Sequence, residues 1–169
     1  MKTNGVKLDE RDLRIIEILQ REGRLSKSEL ARRVHLSSTP CWERLRHLED
    51  AGIIEGYEAR VSLKAFGPLT QVVVTVELES HLPADFARFE RAIQDHPEIH
   101  ECDSLGGGID YILKVLARDL ESYQAFMDQL LSAGLGIRRY FTYVVTKPVK
   151  RSPPPVTRLT GPEGRKISP

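Results

Sequence analysis

The chain has 169 residues, 40% of them hydrophobic and 29% charged, with a formal net charge of +1. That length suits one or two small domains, and the composition is that of a globular chain rather than a disordered or fibrous one. No apolar run approaches the roughly 20 residues of a membrane helix; the N-terminus MKTNGVKLDERD has no signal-peptide core, and Cys41 and Cys102 form no C-x-x-C pair, so a cytoplasmic chain without disulfides, metal or cofactor is expected.

The near-neutral total hides a pattern. Residues 24–47 carry six basic and two acidic side chains, with His35 and His47 in addition. Residues 61–147 are net −4 and residues 148–169 are net +4. Positive charge concentrated in one short stretch and in the tail is the distribution that a DNA contact needs.

In chain order, the apolar residues Leu8, Ile15, Ile16 and Leu19 predict a first helix over 9–22, stopped by Gly23. Ser26 to Glu29 reads as a capping box for a second helix that runs to about Val34, with Leu30, Ala31 and Val34 inward. The turn HLSSTP leads into a third helix ending near Asp50, closed by Ala51-Gly52. Ser37 and Thr39 both qualify as its N-cap, since Pro40 is tolerated only in a first turn. This is the layout of a helix-turn-helix that lays its second helix in the major groove. IIEGYEARV over 53–61 has strand character around Gly56, predicting a minimal wing and then a linking strand.

At 100° per residue the third helix has a core stripe of Cys41, Leu45 and Leu48. Thr39, Glu43, Arg46 and His47 fall on the other side, flanked by Trp42 and Arg44, and Ser38 at the helix start is a further candidate contact. Arg forks onto guanine, Glu accepts from cytosine, and Ser or Thr reads base or phosphate. Arg32 and Arg33 on the preceding helix are expected to grip phosphate and set register, as is Arg24 before it.

After a junction at 62–68, the second half reads strand (70–79), helix (83–96), strand (99–105), glycine turn (106–108), strand (109–117), helix (120–132) and strand (137–146). This β-α-β-β-α-β order is the ferredoxin-like plan: a four-stranded antiparallel sheet with two helices on one face. The other face then needs a cover, and a second subunit supplies one. The fold class is therefore α+β, with units at 1–61 and 69–149. The tail KRSPPPVTRLTGPEGRKISP over 150–169 reads as flexible and basic.

Several constellations carry no chemistry. The turn Gly106-Gly107-Gly108 lacks the helix and the Lys-Ser/Thr of a P-loop. His96, His100 and Cys102 are separated by the helix breaker Pro97 and do not make a metal site. No nucleophile–base pair or carboxylate pair is set up for catalysis, so an enzyme is not expected. Two readings stand beside a regulator: a ligand-independent DNA-architectural protein, and an enzyme built on the ferredoxin-like unit.

The stretch from Leu8 to Val61, with Leu8, Asp12, Ile16, Gly23, Arg24, Glu29, Leu30, Ala31, Leu36, Ser37, Pro40, Arg44, Leu48, Gly52 and Tyr57, resembles the DNA-binding domain of the Lrp/AsnC family of transcription regulators. The second half, with Gly107 and Asp110 before a hydrophobic strand, resembles that family's effector-binding domain. The resemblance implies homodimers assembled further into tetramers or octamers, and a small amino-acid-like effector bound between neighbouring dimers. On that reading Gly106, Gly107, Gly108 and Asp110 line the cleft, the aspartate taking the ammonium, while Tyr140 and Thr142 share one face of the last strand and are expected to border it. The triple glycine departs from the family pattern and opens room at the backbone. PCWERL, LGGGIDYILKV and RYFTYVVTKPVK are similar to a branch found with ectoine-degradation genes.

Overall fold

The computed structural model describes residues 7–159. It separates into two compact units, one comprising the chain to Val61 together with the segment from Lys150, the other Ser62–Val149.

In the first unit α1 (Glu10–Arg21), α2 (Lys27–Arg33) and α3 (Ser38–Asp50) pack around Leu8, Ile15, Ile16, Leu30, Ala31, Val34, Cys41, Leu45 and Leu48. The full capping box lies on α1. Asp9 accepts from the Arg11 and Asp12 amides at 2.9 and 3.0 Å, and Asp12 accepts from the Asp9 amide at 3.0 Å. On α2 only half of the expected box forms. Ser26 accepts from the Glu29 amide at 3.2 Å, but the Glu29 carboxylate turns to Arg32 and Arg33 instead of reaching back. A charged donor outbids a neutral amide for an ionised carboxylate.

The turn into α3 uses His35 in the left-handed region (φ 55°) and returns the Leu36 amide to the Ala31 carbonyl at 2.9 Å. Ser37, in extended geometry, is the N-cap residue. After α3, Gly52 at φ 68° lets the Ile53 and Ile54 amides bond the Leu48 carbonyl at 2.9 and 3.1 Å. Ile53 and Ile54 therefore pack on the helical core, and residues 53–61 form no strand. The linking strand expected in this stretch does not form, and its first two apolar residues close α3 instead.

In the second unit β1 (Thr70–Leu78), α4 (Pro83–Gln94), β2 (Ile99–Ser104), β3 (Tyr111–Ala117), α5 (Leu120–Ser132) and β4 (Ile137–Val144) form one four-stranded sheet in the order β2-β3-β1-β4. Every pairing in it is antiparallel, as the β-α-β-β-α-β pattern predicts. Val72, Val74, Val76 and Leu78 alternate inward with Tyr111, Leu113 and Val115 against Phe89, Ile93, Phe126, Met127 and Leu130 of the helices. The opposite face bears Val73, Thr75, Ile112, Phe141 and Tyr143; the two aromatic residues are 46% and 55% exposed.

The tail corrects its expectation. Val156–Leu159 forms a single helical turn, α6, belonging to the DNA-binding unit. Val156 packs on that unit's core, and the Thr157 hydroxyl donates to Glu17 of α1 at 2.8 Å. The remainder of the predicted tail, 160–169, lies outside the described residues. Among the described residues no helix is long and apolar enough to cross a membrane.

Candidate DNA-binding and effector sites

Burial of Cys41, Leu45 and Leu48 fixes which side of α3 faces outward. Ser38, Thr39, Trp42, Glu43, Arg46 and His47 are all exposed there. Arg46 makes only a loose 3.8 Å approach to Asp50, at 70% side-chain exposure, so its fork is available. Lys27, at the start of α2, sits 3.3 Å over the Trp42 ring. This cation–π contact holds the indole against the helix pair and adds positive charge beside it. Sequence reasoning passed over Lys27, because nothing local links it to a residue on another helix.

The three flanking arginines do not all stand free for phosphate. Arg33 is held between Glu22 at 2.7 Å and Glu29 at 2.8 Å. Arg32 meets Glu29 at 2.7 Å while its side chain stays 73% exposed. The hydrogen bonds from Arg32 and then Arg33 bring the Glu29 carboxyl down to about 2. Arg44, expected beside the outward face, is instead turned inward. Its Nη1 donates to Asp9 at 2.6 Å and Asp12 at 2.8 Å. The hydrogen bonds it donates to Asp12 and then Asp9 raise the guanidinium's already high pKa further. Acidic residues at the start of α1 and along α2 supply intramolecular partners that a helical wheel of α3 alone does not contain.

In the second unit Gly106, Gly107 and Gly108 are exposed between β2 and β3. A Cβ added at any of the three meets nothing within 4 Å, and none has positive φ. Neither packing nor backbone strain within the chain requires glycine here. Asp110 is the stitch below the turn. Its Oδ2 accepts from the Leu78 amide at 2.8 Å, its amide donates to the Val76 carbonyl at 2.9 Å, and its carbonyl accepts from the Leu105 amide at 2.7 Å. Its Oδ1 faces His81 Nε2 at 3.3 Å, and His81 stacks on Phe86. Half of the carboxylate is thus engaged by backbone, and His81 was missed because it lies in the β1–α4 loop, far off in sequence.

Tyr140 and Thr142 lie on the helix-covered side of β4. Tyr140 is half-buried against the core, opposite Val76, and the Thr142 hydroxyl is 2.6 Å from that of Tyr123 on α5. Thr142 stays exposed while its hydroxyl meets α5, and Tyr140 packs at the edge of the core. Tyr140 and Asp110 remain at the same end of the sheet, each joined to Val76. Tyr111, beside Asp110, is buried, and its hydroxyl donates to Glu90 at 2.8 Å; burial first, then Glu90, raises its pKa. Two surface depressions, one lined by Arg14, Ile18 and Arg33 and one by Arg118, Ser122 and Phe126, lie apart from this turn. Among the described residues no cluster of metal-ligating side chains occurs.

A helix-turn-helix with an outward recognition helix, continued into a ferredoxin-like unit, defines a DNA-binding transcription regulator with a ligand-binding domain. Sequence profiles agree: a winged helix-turn-helix DNA-binding profile matches residues 8–55, and the Lrp/AsnC ligand binding domain matches residues 71–155. The chain belongs to the Lrp/AsnC family. It is 51% identical over 146 residues to the transcriptional regulatory protein DoeX of Halomonas elongata, covering 86% of this chain and 92% of that one. It is 38% identical over 151 residues to the leucine-responsive regulatory protein of Escherichia coli, covering 89% and 92%. Among solved structures, a Neisseria meningitidis transcriptional regulator in complex with L-Met superposes with a TM-score of 0.80 at 32% identity, covering 86% of this chain and 94% of that one. These relatives are regulators, and the chain is a regulator rather than an enzyme.

Proposed function

We propose that this regulator reads operator DNA with Ser38, Thr39, Trp42, Glu43, Arg46 and His47, assisted at phosphate by Arg24 and the exposed Arg32. We further propose that it responds to a small zwitterion at the Gly106–Asp110 turn. The observation that carries the reading is the outward face of α3: six exposed polar or aromatic side chains opposite a fully packed apolar stripe.

The effector site draws on different features. Exposed glycines let a ligand approach backbone N–H groups, which suit a carboxylate. Asp110 Oδ1, the oxygen not bonded to backbone, suits an ammonium. Tyr140 stands at the same end of the sheet. A second copy of the chain covers Val73, Thr75, Phe141 and Tyr143, giving a dimer, and further assembly to tetramers or octamers brings a neighbour to the open turn. The leucine of one relative's name and the L-Met of a related structure favour an amino-acid-like ligand. The similarity to DoeX supports the branch indicated by PCWERL and LGGGIDYILKV, and so a diamino acid derived from ectoine. Such a regulator acts on the chromosome, in the cytoplasm.

The test is a thermal-shift screen of amino acids and ectoine-derived diamino acids, followed by gel-shift titration with the compounds that stabilise the protein. A hit changes operator affinity, and Arg46→Ala weakens operator binding by about 1–3 kcal/mol. Unchanged affinity and sequence preference in Arg46→Ala refute the DNA face. Effector binding without any change in operator affinity or assembly refutes the regulatory coupling.

A further inference from the structure

We infer that Arg44 is a positioning residue that locks the rotation of the recognition helix, through two aspartates that at the same time cap α1. Asp9 uses Oδ1 for the Arg11 and Asp12 amides and Oδ2 for Arg44. Asp12 uses Oδ2 for the Asp9 amide and Oδ1 for Arg44. All four carboxylate oxygens are thereby engaged, and Asp12 is buried, with a relative exposure of 9%. The arrangement joins residues 32 and 35 positions apart in the chain.

The apolar stripe of α3 says which side of the helix faces the core, but hydrophobic contact is non-directional and tolerates some roll. A charge-assisted hydrogen bond to two fixed oxygens does not. A roll of about 20° carries a side-chain tip, about 6 Å from the helix axis, through about 2 Å. A base-edge hydrogen bond does not survive that displacement. Arg44 stands next in sequence to Glu43 and one turn before His47, so holding it holds the outward face. The aspartates are themselves immobilised by the α1 cap, which makes the anchor rigid. This assignment rests on the reading of α3 as the DNA-contacting helix.

The experiment uses the full chain, an operator recovered from a random-sequence duplex library, and poly(dI-dC) as non-specific DNA. Arg44→Met and Asp9→Ser are compared with wild type; serine keeps the N-cap acceptor while removing the carboxylate. Each variant is expected to weaken operator binding by about tenfold, the order of a lost charge-assisted hydrogen bond. Binding to poly(dI-dC) and the slope of log affinity against log salt stay unchanged, and the two effects do not add in the double variant. Arg44→Lys, which keeps charge but reaches only one carboxylate, retains the fold and falls between. A salt slope in Arg44→Met smaller by about one means that Arg44 contacts phosphate directly, and overturns the assignment. Wild-type operator affinity in Asp9→Ser overturns it as well. A wild-type protein that does not distinguish operator from poly(dI-dC) instead fails the reading of α3, a different result.

Discussion

Removing residues 150–169 is expected to destabilise the DNA-binding unit, although the deleted residues are remote in sequence from its helices. Fully burying a valine is worth about 1.5 kcal/mol at the low end, and Val156 is half-buried on the α1–α3 core. Its contribution is therefore about 1 kcal/mol. The Thr157–Glu17 hydrogen bond, 2.8 Å long and exposed, adds at most about 1 kcal/mol. Ordering the segment opposes both, but Pro153, Pro154 and Pro155 are already restricted in the unfolded chain, so that cost is reduced. A net loss of about 1 kcal/mol in a unit of this size lowers the melting temperature by about 4–8 °C. The assay is thermal unfolding followed by tryptophan fluorescence. Trp42 is the sole tryptophan and sits on α3, so the signal reports this unit and not the ferredoxin-like one. Val156→Ser in the full chain should reproduce at least half of the shift. A Trp42 melting curve within about 1 °C of wild type in both variants refutes the docking of the segment.

Gly107→Leu should abolish the effector response while leaving melting temperature and effector-free DNA binding unchanged, because the added side chain meets open space within the chain; calorimetry with a screening hit decides, and full affinity places the ligand elsewhere. Acid should weaken the DNA-binding unit with a defined sign. Arg32 and then Arg33 bring Glu29 down from its ordinary 4.5 to about 2. Its contribution is therefore complete above the unfolded pKa and is lost as pH falls from about 4.5 through about 2. Asp9 acts in the same direction: its burial opposes ionisation, but the Asp12 amide and Arg44 outweigh it and lower its pKa. Trp42-monitored stability should decline over that window, and Glu29→Gln should flatten the decline; an unchanged acid profile in that variant refutes the Glu29–arginine cluster.

The outward residues of α3 were legible because they follow from the positions of Cys41, Leu45 and Leu48 on a helix of known pitch. The β-α-β-β-α-β order was equally legible, since β-branched alternation and apolar spacing of 3–4 are local properties. Alternation also put Tyr140 and Thr142 on one face of β4, but not on which face of the sheet; the packing of Tyr123 on α5 decided that. Asp9 and Asp12 cap α1 through contacts three residues apart, yet their remaining oxygens found Arg44 only once the helices had closed on one another. In the same way the strand-like residues 53–54 went to the core below α3, and Val156 crossed back to α1. Sequence by itself determined what backbone sterics and periodicity dictate over a few turns: the helices, the strands and the faces they bury. Tertiary structure alone decided which charges meet and where the C-terminal segment docks, because a long-range ion pair or apolar contact depends on which surfaces folding brings within a few ångströms.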